Sequence, residues 1–370
     1  MNITFIFGNG FDIQCGLATR YSDFLKEYTI IQKDDSENIK RFKAYLSKAE
    51  NQELWSDAEK AMGLHLKEFS RWNLADFTDR IMDFETKMVE YLDAQQDMCC
   101  WDRADEIGKI FKDFISESFR DVISMRTSEI DIWNNKSINY YHFITFNYTN
   151  LLENIIQSIA PDMTLPVIFR SRHVNQSNYV DYLADIHHVH GELGSYIIMG
   201  VNDESQLNSG YGMELKKRIK GQLIKPEMSS AINHSWDIPA KQTIQDSDII
   251  AIYGVSFGIT DNLWWEEIRT WLENDPSHKI VAFVRDKNEL PNFRLVWKIA
   301  EYEREQQSKI LQSLGYTRIH PNYDRLMKQI YIIVNTTRLN LAPMILGGNT
   351  KQTPEDQAAL YEMNVHSDMV

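Results

Sequence analysis

The feature that most constrains this chain is a short apolar run that ends in a glycine-rich loop near residue 10. Residues Ile3 to Phe7 are apolar and β-prone, which predicts a buried parallel strand. The loop Gly8-Asn9-Gly10 would let the backbone approach a phosphate without Cβ clashes, and a helix is expected directly after it. A strand, a glycine loop and a helix in this order predict a site for an adenine dinucleotide or a close relative.

The predicted binding loop extends a few residues into that helix. Its members are Gly8, Asn9, Gly10, Phe11, Asp12 and Gly16. Gly16 comes six residues after Gly10 rather than three, so the loop is not the dehydrogenase fingerprint. Two readings stay open at this point. The loop is either a ligand site or a tight turn without a ligand, and Asp12 is either the N-cap of the helix or a residue that faces the ribose.

Composition excludes several classes of protein. The net charge of −14 makes nucleic acid an unlikely partner, because an acidic surface repels the phosphodiester backbone. Three cysteines (Cys15, Cys99 and Cys100) cannot form a disulfide framework or a four-cysteine zinc site. The first residues predict a strand rather than a signal peptide, and no apolar stretch reaches membrane-spanning length. We therefore expect a cytoplasmic protein without a membrane partner.

Further strand signals follow a long helical region. Residues 36–135 show apolar positions at helical spacing, which predicts a helical insertion. The other predicted strands are Tyr140–Phe146, Asp185–Val189, Tyr196–Met199, Asp248–Tyr253 and Lys279–Val284. Strands that alternate with helices predict an α/β fold with a doubly wound, mainly parallel sheet.

This pattern divides the chain into three parts. Residues 1–35 and 136–340 are expected to form a Rossmann-like nucleotide-binding core, interrupted by the helical insertion at 36–135. Residues 341–370 are expected to form a tail with a short helix that begins at Thr353-Pro354-Glu355.

Polar residues follow several of the predicted strands, and the carboxyl ends of parallel strands meet at one edge of a sheet. Thr145 and Asn147 end one strand, and Asn147 would orient a ribose hydroxyl or a water unless it caps the next helix. His190 suits a general base at such a place. A metal site of His188 and His190 and a purely structural role remain open alternatives. Gly254 and Ser256 form a second glycine-rich segment after a strand, which either contacts ribose or phosphate or is only a βα loop.

Taken together, these motifs resemble the AbiH family of bacterial abortive-infection proteins. The resemblance covers most of the chain in the same order. It rests on GNGFDxxxGLxTxYxxF from Gly8 to Phe24, Trp55-Ser56-Asp57-Ala58-Glu59, the run from Phe146 to Glu153, His190-Gly191, and YGVSFGITD from Tyr253 to Asp261. It implies a role in defence against phage, with a phage-derived trigger and a homo-oligomer as possible partners.

The same residues also resemble the wider sirtuin-like fold. Matching segments are Gly8 and Gly10 with Gly16-Leu17-Ala18, Thr145-Phe146-Asn147, His190-Gly191 and Gly254-Val255-Ser256. The sirtuin zinc module of four cysteines is missing, and Thr19-Arg20-Tyr21 does not reproduce the sirtuin Asp-Phe-Arg. These departures put deacetylation in doubt.

The resemblance implies an enzyme that hydrolyses NAD, its substrate, to nicotinamide and ADP-ribose. Asn147 and His190 would be its catalytic residues, and no metal is expected. Two alternatives remain: a non-catalytic sensor of NAD or ADP-ribose that regulates a defence assembly, and a nuclease or other phosphoesterase. The last would need clustered carboxylates for metal, which the motifs do not supply.

Overall fold

The structure, a computed structural model, describes most of the chain. The described residues are 1–48, 58–65, 74–123, 125–132, 135–162, 164–207, 219–231, 237–286 and 295–347. The predicted tail helix at Thr353-Pro354-Glu355 and the residues Trp55-Ser56-Asp57 lie outside these ranges.

A seven-stranded sheet forms the centre of the fold. Its strands are β1 (Asn2–Phe7), β2 (Tyr140–Thr145), β3 (Val167–Val174), β4 (Ser177–His188), β5 (Ile249–Tyr253), β6 (Lys279–Val284) and β7 (Ile330–Val334). Their order is β3-β4-β2-β1-β5-β6-β7, and every neighbouring pair is parallel except β3 with β4. The first strand, β1, thus lies in the middle of the sheet. Strands β2 to β4 form the half on one side of it, and β5 to β7 form the half on the other side. The predicted α/β class with a mainly parallel sheet is confirmed.

The strand predictions need three corrections. Tyr196–Met199 is not a strand, since only an isolated bridge joins Gly191 to Ile197 there. The strand predicted at Asp185–Val189 is the end of the longer β4, whose first half pairs with the unpredicted β3. Strand β7 was also not predicted, because a short apolar run after a helix does not reveal by periodicity which structure it adopts.

Helices occupy much of the remaining described chain. They are α1 (Gly10–Gln14), α2 (Tyr21–Tyr28), α3 (Glu37–Leu46), α4 (Ala58–His65), α5 (Leu74–Asp97), α6 (Ala104–Glu117), α7 (Leu151–Gln157), α8 (Lys225–Ala231), α9 (Asp237–Gln245), α10 (Asn262–Asn274), α11 (Val296–Ser313), α12 (Tyr323–Lys328) and α13 (Ala342–Ile345). No helix in the described part of the chain combines the length and apolar character that a membrane crossing needs.

Helices pack on both faces of the sheet because successive strand residues point to opposite sides. Phe5 and Phe7 of β1 join one core with Phe111 and Phe114 of α6. Ile6, between them, belongs to a second core that contains the tryptophans of α10. Helix α6 lies within the predicted insertion yet packs directly on the sheet. The division at residues 36 and 135 stays a prediction.

A third apolar cluster lies at the carboxyl edge of the sheet. It joins α2, α3 and α5, through side chains such as Phe24, Phe42 and Phe84, to Tyr148 and Leu193. Tyr148 follows β2 and Leu193 follows β4, so these helices cover the edge at which the candidate residues were expected.

Candidate functional site

The two glycine-rich loops meet at the centre of the sheet. Strands β1 and β5 are parallel neighbours, and the order of strands reverses between them. The amide of Gly8 donates to the carbonyl of Tyr253 at 3.0 Å, and that of Gly10 donates to Gly254 at 2.9 Å. Ligands of open α/β sheets bind at such a reversal, outside the carboxyl ends of the strands. In this structure the two loops occupy that place and hydrogen-bond to each other.

Contact between the loops accounts for their glycines. A Cβ on Gly10 would lie 2.5 Å from the Cα of Gly254, and a Cβ on Gly8 would lie 2.5 Å from the carbonyl oxygen of Gly254. The amides of Gly10 and Phe11 are also occupied, since Phe11 donates to the carbonyl of Gly8 at 2.9 Å. The glycines therefore give no independent sign of a diphosphate, and three backbone amides of the predicted phosphate site, those of Gly8, Gly10 and Phe11, are already bonded.

The remaining predicted loop residues have varied surroundings. Phe11 is in the core, with its ring centroid 4.8 Å from that of Phe7. The side-chain amide of Asn9 donates to the carbonyl of Thr19 at 2.9 Å and does not cap α1. Gly16 has a φ of +101°, a conformation that favours glycine. Ser256 is exposed on the loop after β5.

Asp12 and Asn147 form a buried polar cluster beside the first loop. Asp12 is 2% exposed and lies inside α1, so the N-cap reading is wrong for this residue. The side-chain amide of Asn147 donates to Asp12 Oδ1 at 2.7 Å and to the carbonyl of Gly8 at 3.2 Å. The hydroxyl of Thr149 donates to Asp12 Oδ2 at 2.6 Å. Burial raises the pKa of Asp12 to about 7, against the lowering effect of these hydrogen bonds. The cap of α7 is Asn150, not Asn147.

The backbone of Asn147 is fixed from its other side. Thr145 Oγ1 accepts a hydrogen bond from the backbone amide of Asn147 at 3.1 Å. His188 Nδ1 lies 3.1 Å from the carbonyl oxygen of Asn147, and His188 Nε2 lies 2.7 Å from Glu153 Oε1. Burial opposes the charge on His188, but Glu153 outweighs it and raises the His188 pKa.

These contacts argue against the predicted alternative of a metal site at His188 and His190. Both ring nitrogens of His188 already have protein partners. Within the described ranges, no group of three or more His, Cys, Asp or Glu residues is arranged to hold a metal ion.

The ion pair of His188 with Glu153 should make stability depend on pH. In Glu153→Gln the amide oxygen still accepts a hydrogen bond, but the charge is gone. We expect the variant to lose about 1.5–3 kcal/mol of unfolding free energy near pH 5.5, where His188 is charged in both states. Because the folded-state pKa of His188 is raised, this stabilisation is complete below the unfolded pKa and is lost as pH rises through the folded one.

Urea unfolding from pH 5.5 to 8 would measure this deficit. Glu192→Gln is the matched control, since Glu192 lies 4.0 Å from His188 Nε2 and should contribute less. A deficit of equal size throughout the range would contradict the assignment.

His190 belongs to a second buried cluster. The residue is 5% exposed, and its Nε2 lies 2.8 Å from Asp261 Oδ1. Its ring packs against Phe146 and Tyr148, the two neighbours of Asn147, at centroid distances of 5.3 and 6.4 Å. No hydrogen bond among the described residues joins the side chains of Asn147 and His190. The structure thus brings both residues to one edge of the sheet, in separate polar clusters.

A lysine completes the cluster around His190. Lys225 Nζ is 2.9 Å from Asp261 Oδ1 and 2.8 Å from Glu59 Oε2, and Tyr148 donates to Glu59 Oε1 at 3.0 Å. Burial disfavours the charge on Lys225, but Asp261 and Glu59 hold its pKa above its usual range. Burial likewise disfavours ionised Asp261, but Lys225 and His190 hold the Asp261 pKa well below its usual range.

Sequence reasoning missed four members of these clusters: Glu59, Thr149, Lys225 and Asp261. Asp261 ends the glycine-rich segment that starts at Tyr253, so its position after a strand was the available signal. Lys225 begins a short helix without any motif, and nothing in the sequence distinguishes it from a surface lysine.

Comparison with known families agrees with the motifs around both clusters. The family model described as Bacteriophage abortive infection AbiH matches residues 4–283, about three quarters of the chain. The chain belongs to the AbiH family. Every residue of the two clusters, from Asp12 to Asp261, lies within the matched range, whereas β7 and α11 to α13 lie beyond it. A search of curated proteins finds no match to this AbiH chain.

Proposed function

We propose that this AbiH protein acts in abortive infection by hydrolysing NAD to nicotinamide and ADP-ribose at the carboxyl edge of its sheet. One observation carries the proposal: Asn147 and the His190–Asp261 pair lie beside the meeting point of the two loops, where the strand order reverses. An amide and an imidazole at this place suit a ribose hydroxyl and an attacking water. The sirtuin-like resemblance supports NAD as the substrate.

Electrostatics also favour this chemistry. Cleavage of the nicotinamide–ribose bond builds positive charge on the ribose, and carboxylates held close to that charge stabilise it. Asp261 beside His190 is ionised because its pKa is held low, whereas Asp12 beside Asn147, with a pKa of about 7, is ionised only in part near neutral pH. Nicotinamide leaves as a neutral molecule, so a strong general acid is unnecessary.

Burial sets a condition on binding. Asp12, Asn147 and His190 are all shielded from solvent in the described structure. A dinucleotide that reaches them must displace part of the cover formed by α2, α3 and α5. We expect NAD to bind together with a rearrangement of these helices.

The deciding experiment incubates the purified full chain with NAD and follows nicotinamide and ADP-ribose by chromatography. We expect both products in equal amounts, and release that continues in the presence of EDTA. Binding of NAD in titration calorimetry without release of nicotinamide would replace the hydrolase by a sensor. Loss of activity with EDTA, restored by zinc or manganese, would bring back a metal site at His188 and His190.

A further inference from the structure

The contacts of Asp261 define where the His190 proton lies. The pKa of Asp261 is held low, so its carboxylate is ionised and can only accept hydrogen bonds. His190 Nε2, 2.8 Å away, must therefore donate to Oδ1. Neutral His190 then carries its proton on Nε2, and the lone pair is on Nδ1. Within the described residues, Nδ1 makes no hydrogen bond.

The charged side chains beside the ring are paired with one another. Glu59 and Asp261 contribute two negative charges and Lys225 one positive charge; Glu59 and Lys225 are buried, and Asp261 is half-buried. Lys225 Nζ bonds both carboxylates and lies 3.4 Å from His190 Nε2. Charges that are removed from water need such pairing, so Lys225 holds Asp261 in place beside the ring.

We propose that Asp261 and Lys225 are the positioning residues of His190. Asp261 fixes the tautomer that leaves Nδ1 as the proton acceptor, and Lys225 keeps Asp261 ionised and in place. This inference rests on the proposed hydrolysis of NAD, and it adds residues that neither family motif assigns a role.

The step balances without any other reactant. A water oxygen forms a bond to C1′ of the nicotinamide ribose while the C1′–N bond breaks, and the electron pair of that bond stays with nicotinamide. The water proton moves to His190 Nδ1. The resulting imidazolium is held by Asp261 at Nε2 until the proton is released to solvent, which is the role of the third residue in a hydrolase triad.

The arrangement also connects helix α4 to the cluster around His190. Lys225 contacts Glu59 of α4 as well as Asp261 of the loop after β5, and Tyr148 donates to the same Glu59. Glu59 does not contact His190 through any of these bonds. A change at Glu59 should therefore affect the rate less than a change at Asp261.

Asp261→Asn tests the proposal because an amide can offer Nε2 an N–H and so favour the wrong tautomer. We expect kcat for NAD to fall by about 10²–10⁴-fold while KM changes by less than about threefold. Glu59→Gln should lower kcat by less than about tenfold. A kcat within threefold of wild type in a folded Asp261→Asn protein would overturn the proposal.

Asp185→Asn is the matched control. Asp185 also pairs with a histidine, since both its oxygens lie 3.0 Å from His142 Nδ1, but this pair lies outside the two clusters. We expect the control to keep wild-type kcat. An equal loss in both variants would show a general effect of removing a His–Asp pair, and would overturn the specific role of Asp261.

Nuclear magnetic resonance separates this inference from the proposed function. Protein labelled with ¹⁵N-histidine, with His190→Gln to assign the signal, should show wild-type His190 protonated on Nε2 and a different state in Asp261→Asn. If the wild type shows this tautomer but never releases nicotinamide, the proposed hydrolysis fails and the positioning by Asp261 stands. If wild-type His190 is protonated on Nδ1, the inference fails whatever the activity.

Discussion

His190→Ala is expected to lower the rate of nicotinamide release by about 10²–10⁴-fold, the usual contribution of a general base. His190 is a predicted site residue that the observed cluster places at this edge of the sheet, and its Nδ1 makes no hydrogen bond to the residues that the structure describes. Alanine removes the proton acceptor and leaves Asp261 with Lys225 as its remaining partner. Steady-state release of nicotinamide measures the loss, and circular dichroism checks the fold.

Asn147→Ala decides whether the two polar clusters serve one transition state. If they do, the variant with both changes should lose much less than the product of the two single losses. Losses that multiply would indicate that Asn147 and His190 act independently, as their separate hydrogen-bond networks allow. Asn147→Ala also removes a donor from buried Asp12, so we expect about 1–3 kcal/mol of lost stability. Wild-type rates in both single variants would remove them from the reaction.

Gly254→Ala should be strongly destabilising, by roughly 2–6 kcal/mol of unfolding free energy. Gly254 has a φ of +67°, and a Cβ there would lie 2.7 Å from the backbone of Gly10 and Phe11. Both backbone strain and collision between two loops therefore act on the same position. Gly10→Val would disrupt the same contact between the two loops. A loss of dinucleotide affinity in that variant would therefore not by itself show that a phosphate binds at Gly10.

Gly194→Ala is the matched control for this prediction. Gly194 has a φ of +83°, but a Cβ there would meet nothing within 4 Å. The control should lose only the cost of the backbone conformation, about 1–2 kcal/mol. Urea unfolding of both variants compares them directly. If Gly254→Ala loses no more than Gly194→Ala, the close packing of the loops does not stabilise the fold.

Local sequence patterns predicted the centre of the fold well. Strands β1, β5 and β6 are continuous apolar runs bounded by polar or glycine residues, so their ends could be placed within one or two positions. The edge strand β3 was missed because charged residues interrupt it. Arg172 of β3 is buried against Asp181 of β4, with Nε 2.7 Å from Oδ2, and a sequence pattern does not show such a pair.

The candidate site was predicted in outline and missed in its electrostatics. Asn147 and His190 could be found because each follows a strand, and the topology brings strand ends together. The residues that complete the cluster around His190 come from distant segments: Glu59 and Lys225 from two helices, and Asp261 from the loop after β5. A charge that becomes buried through tertiary packing leaves no local signature in the sequence, so these ion pairs are apparent only in the folded structure.

The arrangement of the sheet also fixes when the two glycine-rich loops can meet during synthesis. Gly10 and Gly254, which bond across the centre of the sheet, are 244 positions apart in the chain. At the usual 5–20 residues per second, a ribosome needs roughly 12–50 s to make the intervening segment. Through that interval β1 lacks β5, and the first loop lacks the carbonyl that Gly10 binds. A nascent chain therefore brings its two glycine-rich loops together only after residue 254 has left the ribosome, and translation products that end before this residue lack the contact altogether.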